Sequence, residues 1–153
     1  MSKNHVGRRK KIVVLEAIHP SGIELIHNAT IINLAENNRG TTRELALSNA
    51  DAVIIKSQTV IDKNFLEKYR TIHLVARYGT GLDNIDMDAT KHFGVTVINT
   101  PGENAHATAE FTIMLILVGM RRYLEAFSSI QKHGYHAGKI IGRDLKGAHI
   151  GVA

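Results

Sequence analysis

A chain of 153 residues, 44% hydrophobic and 22% charged, has the balance of an ordinary globular domain and enough length for one real core. It holds no cysteine, which excludes disulfides and thiolate metal sites and fits a reducing compartment. Part of the formal charge of +5 is local: Lys3, Arg8, Arg9, Lys10 and Lys11 crowd an N-terminal arm, residues 1–11, read as solvated and not as a nucleic-acid or membrane contact.

Residues 12–18 (IVVLEAI) are rich in β-branched side chains and predict a buried strand, ended by His19-Pro20-Ser21-Gly22. Glu16 interrupts the apolar run that a signal peptide would need, so the chain reads as cytoplasmic and the sequon Asn28-Ala29-Thr30 as silent. Ile23, Leu25 and Ile26 suit a short helix, and residues 30–34 a second strand. Thr41-Thr42-Arg43-Glu44 has the form of a capping box, with Thr41 as N-cap and Glu44 at N3, opening a helix to about Ala50. A third strand is expected over 52–56, a helix over 62–70, a fourth strand over 73–77, a helix over 86–93 closed by Gly94, and a fifth strand over 95–98.

Strands alternating with helices imply an open, doubly wound parallel sheet covered on both faces. Ligands of such sheets bind outside the carboxyl ends of the strands. That rule selects His19-Pro20, Lys56-Ser57-Gln58, residues 77–84 and residues 99–104. One long helix is expected over 105–133, apolar nearly all round between Phe111 and Val118. A second domain or subunit should cover part of it, and its apolar run of 113–120 is too short for a bilayer, which needs roughly 20 residues. Residues 144–153 read as a turn and the opening of another strand, inside which the chain stops, as a truncated chain would.

The most informative stretch runs from Val75 to Asp86. It follows a strand and contains Gly79-Thr80-Gly81, but Asn84 stands where a G-x-G-x-x-G turn has its third glycine. Such a turn either offers its backbone N–H groups to an anion or simply reverses the chain. Together with residues 97–110 (VINTPGENAHATAE) this block closely resembles the D-isomer-specific 2-hydroxyacid dehydrogenase family, nearest its phosphoglycerate dehydrogenase branch. There a loop R-x-G-x-G-x-D-N-[IV]-D precedes N-x-P-x-x-N-x-x-[SA]-x-A-E. Residues 145–153 are similar to the entrance of that family's cofactor domain, with Ala148 and His149 where the family has Lys and Thr.

The resemblance implies a flavodoxin-like substrate-binding domain over 12–104, a crossover and dimerisation helix with linker over 105–143, and the first strand of a truncated Rossmann domain over 144–153. It implies hydride transfer between C2 of a 2-hydroxy acid, such as 3-phosphoglycerate, and NAD. The family's catalytic Arg, Glu and His map onto nothing here and are expected downstream, as are the phosphate-binding glycines of the NAD site. Backbone N–H groups of Tyr78 and Gly79 would hold the substrate carboxylate. Asn104 would hydrogen-bond near the substrate, or act only as a helix cap. Arg77 and Lys56 would meet a substrate phosphate, or stand as solvated cations at strand ends; the branch more often has Arg at the second place. Thr80 would touch the cofactor, and Thr108 would face the nicotinamide or merely pack. His106 would line the mouth of the cleft, His136 stands where relatives often carry Trp, and His133-x-x-His136 lacks the further ligands a metal site needs. Resembling enzymes pair through the long helix, so the implied partners are a small 2-hydroxy or 2-keto acid and a second copy of the chain, without nucleic acid or membrane. An inactive gene fragment and an NAD(H)-sensing co-regulator of the same fold are the alternatives.

Overall fold

The computed structural model describes residues 8–35, 42–134 and 140–152. The basic residue Lys3, the expected N-cap Thr41, and Tyr135 and His136 lie outside them. The chain divides into two compact units, Met1–Glu103 and Asn104–Ala153.

The first unit is built on β1 (Lys10–Val14), α1 (Pro20–Glu24), β2 (Ala29–Asn33), α2 (Arg43–Ser48), β3 (Ala52–Ile55), α3 (Lys63–Lys68), β4 (Leu74–Arg77), α4 (Met87–His92) and β5 (Thr96–Asn99). The five strands are all parallel in the order β2-β1-β3-β4-β5, the flavodoxin-like winding in which connections reverse direction between β1 and β3. Alternate residues of the central strands (Val13, Val53 and Val75) point into one core with Leu47 of α2, Leu66 of α3 and Ala89 of α4. Ile55, Ile61, Leu66 and Ile72 are almost wholly removed from water, and each contributes on the order of 1.5–3 kcal/mol.

Hydroxyl or carboxylate caps start three of the helices. Thr42 accepts from Leu45 N–H, Asp62 from Phe65 N–H and Asp86 from Ala89 N–H, each worth about 1 kcal/mol. The cap of α2 is therefore Thr42 and not Thr41, one residue later than the sequence pattern suggested. His19 caps α1 through its ring, and Pro20 opens that helix at the position proline favours. The first strand is also earlier than expected. It covers 10–14; Leu15 N–H still donates to the Ile54 carbonyl of β3 at 3.0 Å, and Glu16 beyond it spends its carboxylate on the loop after β3.

In the second unit the single helix expected over 105–133 is two: α5 (Ala105–Met120) and α6 (Tyr123–His133). Arg122 adopts the left-handed conformation at φ 50° and pairs with Glu125 in the first turn of α6. Gly142 packs against this corner, where a Cβ would meet the Arg121 Cα at 2.5 Å, and Arg143 N–H donates to the Met120 carbonyl at 2.7 Å. That contact holds the corner shut and explains a break that no proline announces. The strand expected near the end of the chain does not form among the described residues, where Ile150 and Val152 stay exposed: a strand without a neighbour has no ladder to join. Among the described residues no helix is long and apolar enough to cross a membrane.

Candidate functional site

Strand order places the crevice of a doubly wound sheet between the carboxyl ends of β1 and β3. Here that crevice is filled from within. The Glu16 carboxylate, just past β1, accepts three backbone N–H groups of the loop after β3: Lys56 at 3.0 Å, Gln58 at 3.0 Å and Thr59 at 2.9 Å. Burial alone would raise its pKa, but the bonds from Gln58, Lys56 and Thr59 outweigh burial and hold the carboxyl below a glutamate's ordinary value. The Asn84 side chain grips the same loop from the other side, donating to the carbonyls of Lys56 at 2.9 Å and Thr59 at 2.6 Å. Asn84, which takes the place of a third fingerprint glycine, is thus a brace between the loops after β3 and β4.

The open space runs from the segment after β1 past the ends of β3, β4 and β5. A cleft of ≈ 260 Å³ is walled by Ile18, Ile54, Ala76 and Ile98 and rimmed by His19, Ser21, Arg77, Tyr78, Asn99 and Thr100. Ile98 keeps 51% of its surface exposed there, although it is the inner residue of a strand. Beside the cleft, the Thr100 N–H donates to the Gly79 carbonyl at 3.2 Å, so cleft and glycine loop share a wall.

Within the loop, the Tyr78 N–H was expected to bind a carboxylate but donates to the Ile55 carbonyl at 2.8 Å. The β3–β4 ladder runs one residue beyond the strands and uses that donor. The N–H groups of Gly79 and Gly81 have no acceptor among the described residues, so Gly79 and Gly81 form the available pair. Gly79 sits at φ 144°, a conformation that side chains rarely adopt. A Cβ on it would lie 1.7 Å from Arg77 Nη1, which means the guanidinium folds back over the loop. Arg77 Nε is buried without an acceptor, and no described carboxylate pairs with this cation. Two amides without a described acceptor thus lie beside a guanidinium that makes no described ion pair, with the Asp83 carboxylate next to Gly81.

Other expected residues are more committed. Lys56 Nζ donates to the Ala17 carbonyl at 3.1 Å and lies 5.8 Å from the centre of the Tyr78 ring, leaving two of its three N–H donors. The Thr80 hydroxyl donates to the Thr100 carbonyl at 3.4 Å and accepts from Gly102 N–H at 3.3 Å, while Asn99 holds the Thr80 carbonyl at 2.8 Å. In the second unit Asn104 stands at the N-cap position of α5 without using its side chain as the cap. The Thr108 carbonyl accepts from the Thr112 hydroxyl, and the Thr108 and His106 side chains are exposed.

The glycine loop does not suit a dinucleotide. A pyrophosphate seat needs a glycine turn that runs directly into a helix N-terminus. After Gly81 the chain instead pairs Ile85 with Ile61 in a bridge, and the next helix is capped by the Asp86 carboxylate, whose charge would repel a phosphate. Sequence reading singled out this loop and the His19-Pro20 segment, but it missed Gly81, Asn84 and Glu16. A lone acid at the end of an apolar strand was the available signal for Glu16.

Residues 12–144 match the model of the D-isomer specific 2-hydroxyacid dehydrogenase catalytic domain. The chain is 29% identical over 141 residues to a D-3-phosphoglycerate dehydrogenase of Mycobacterium leprae, covering 92% of this chain and 27% of that one. It is 30% identical over 145 residues to the enzyme of the same name from Archaeoglobus fulgidus, covering 93% and 27%. The chain therefore spans little more than a quarter of the length of these curated relatives. Among solved structures, an NAD+-bound 3-phosphoglycerate dehydrogenase of Entamoeba histolytica superposes at a TM-score of 0.67 with 25% identity, over 90% of this chain and 44% of that one. A D-lactate dehydrogenase from Aquifex aeolicus, complexed with NAD and lactic acid, shares the fold at 0.74 and 19% identity, over 89% and 41%.

Proposed function

Since this chain belongs to the D-isomer specific 2-hydroxyacid dehydrogenase family, we propose that it provides the substrate wall of an oxidoreductase that moves a hydride between C2 of a 2-hydroxy acid and NAD. The observation that carries this reading is the pair of unpartnered N–H groups, Gly79 and Gly81, beneath Arg77 at the carboxyl edge of the sheet. The carboxylate of the acid sits on those amides. Arg77, with Lys56 behind it, meets the far anionic group when the acid is a phosphorylated one such as 3-phosphoglycerate, and Asn104 adds a hydrogen bond near the substrate. The aromatic ring of Tyr78 forms part of the cleft. Thr80 and Thr108 meet the nicotinamide end of the cofactor. Residues that hold the rest of NAD, and the Arg, Glu and His that carry out the chemistry, belong to sequence outside these 153 residues.

Heteronuclear NMR of the 153-residue chain tests the seat. The Gly79 and Gly81 amide signals should move on titration with 3-phosphoglycerate, glycerate and lactate. Calorimetry with NADH should detect no micromolar binding, because a few neutral contacts of ~0.5–1.5 kcal/mol each do not offset an association cost of several kcal/mol. Unmoved glycine amides, or micromolar NADH binding, would refute the assignment.

The assembly proposed for the protein is a homodimer through α5 and α6. No residue of α5 is buried, and Phe111 and Ile113 each keep 58% of their surface exposed. A two-fold contact covers such a patch without leaving a second one. Light scattering at micromolar concentration is expected to give twice the mass of the chain; a monomer alone would contradict the interface.

A further inference from the structure

We propose that His19 is a specificity-determining residue of this site, donating from Nε2 to an acceptor at the end of the acid remote from its carboxylate. The site then selects acids whose third carbon bears a hydroxyl or phosphoryl oxygen over acids ending in a methyl group. This rests on the carboxylate seat proposed above for Gly79 and Gly81.

The tautomer follows from one contact. Ser21 N–H donates to His19 Nδ1 at 3.3 Å. A backbone N–H can only donate, so Nδ1 presents its lone pair, and the neutral ring carries its proton on Nε2. The Ser21 hydroxyl, 2.8 Å from the same Nδ1, fixes the ring further. One nitrogen is thereby spent on α1, and the other is left for a ligand.

The surroundings make that donor matter. His19 lines the same cleft as Arg77, against the apolar walls of Ile18 and Ile98. Three other polar groups at the rim are engaged, Asn99 Nδ2 by the Thr80 carbonyl, the Ser21 hydroxyl by His19, and Thr100 N–H by the Gly79 carbonyl, while Arg77 serves the carboxylate seat. His19 is exposed at the rim, so Nε2 is hydrated when the cleft is empty; a ligand oxygen that accepts from it replaces that water, and a methyl group gains nothing there. The cleft shares Thr100 with the glycine loop, and its ≈ 260 Å³ lies below the roughly 300–1,000 Å³ of sites for drug-sized ligands, which suits a short acid.

The test is NMR titration of the 153-residue chain and its His19→Asn variant with D-glycerate, 3-phosphoglycerate and D-lactate. Asparagine keeps an N-cap acceptor for Ser21 N–H, so α1 is preserved, but it is too short to replace Nε2. The His19 Nε2 signal should shift with glycerate and 3-phosphoglycerate and stay still with lactate. In His19→Asn, the preference for these two acids over lactate should fall at least about fivefold, with lactate affinity unchanged and the Gly79 and Gly81 shifts retained. Retained glycine shifts with an unaltered preference would overturn the role of His19 alone. Glycine amides that respond to none of the three acids would overturn the carboxylate seat and this inference together.

Discussion

Gly79→Val is expected to weaken binding of 2-hydroxy acids to the chain at least about tenfold, or ~1.4 kcal/mol, without unfolding it. Two effects act together. The backbone at φ 144° suits glycine, and a β-branched residue there costs on the order of 1–3 kcal/mol of strain. The new Cβ would also coincide with the Arg77 guanidinium, 1.7 Å from Nη1 and 2.8 Å from Cζ. Arg77 can move only by giving up the packing that buries its Nε, so the loss falls on the cation and the amide at once. Gly94→Ala is the control. That glycine also has a positive φ, 67°, but nothing lies within 4 Å of its Cβ position, so it should lose stability and leave affinity unchanged. The readouts are the dissociation constant for glycerate and the melting temperature. A folded Gly79→Val chain with wild-type affinity would remove the glycine loop from the site.

Glu16→Ala should lower stability by about 3 kcal/mol or more, roughly 10 °C in melting temperature for a chain of this size. The carboxylate is the common acceptor of three N–H groups from a loop that belongs to another strand, and the alanine variant gives up all three charge-assisted bonds. Glu16→Gln keeps one carbonyl oxygen and should lose about half as much. The pH dependence has a definite sign. The folded-state pKa of Glu16 is depressed, so its contribution is complete above a glutamate's ordinary range and is lost as pH falls through the lowered value. Glutamine cannot titrate, so the gap between wild type and Glu16→Gln should narrow as the solution is acidified. Asp51 has a depressed pKa as well, first through the Lys11 N–H, and it contributes to the acid limb in both proteins. Denaturant titrations at several pH values measure this; a gap that is constant or widens toward acid would show that the three bonds do not depend on the charge.

The two variants separate binding from folding. Gly79 acts on the anion seat, and Glu16 acts on the scaffold that holds the loops after β1, β3 and β4 in register. The division follows from what fills the crevice between β1 and β3. An internal carboxylate occupies the place where a doubly wound sheet of this order would otherwise receive a ligand. The unpartnered donors lie instead at the end of β4.

Much of this fold was legible in local pattern. The β-branched runs that became β1 to β5, the helix starts near Asp62 and Asp86, and Gly94 after α4 all act within a few residues of themselves, and periods of 2 and 3.6 are written directly in the chain. Residues 77–86 and 97–110 stood out as a candidate site, the first by its glycine turn after a strand and both by their resemblance to the family. Partner choice was not legible. Tyr78 N–H goes to Ile55, and Glu16 reaches Lys56, 40 positions away. The corner at Arg122 is held by Gly142 and Arg143, 20 and 21 positions on. A donor takes the acceptor that folding brings within about 3 Å, and that acceptor can come from any part of the chain. The sequence by itself determined which segments are strands and which turns can offer amides; the tertiary structure decided which amides remain to be offered, because every buried N–H must first be satisfied from within the fold.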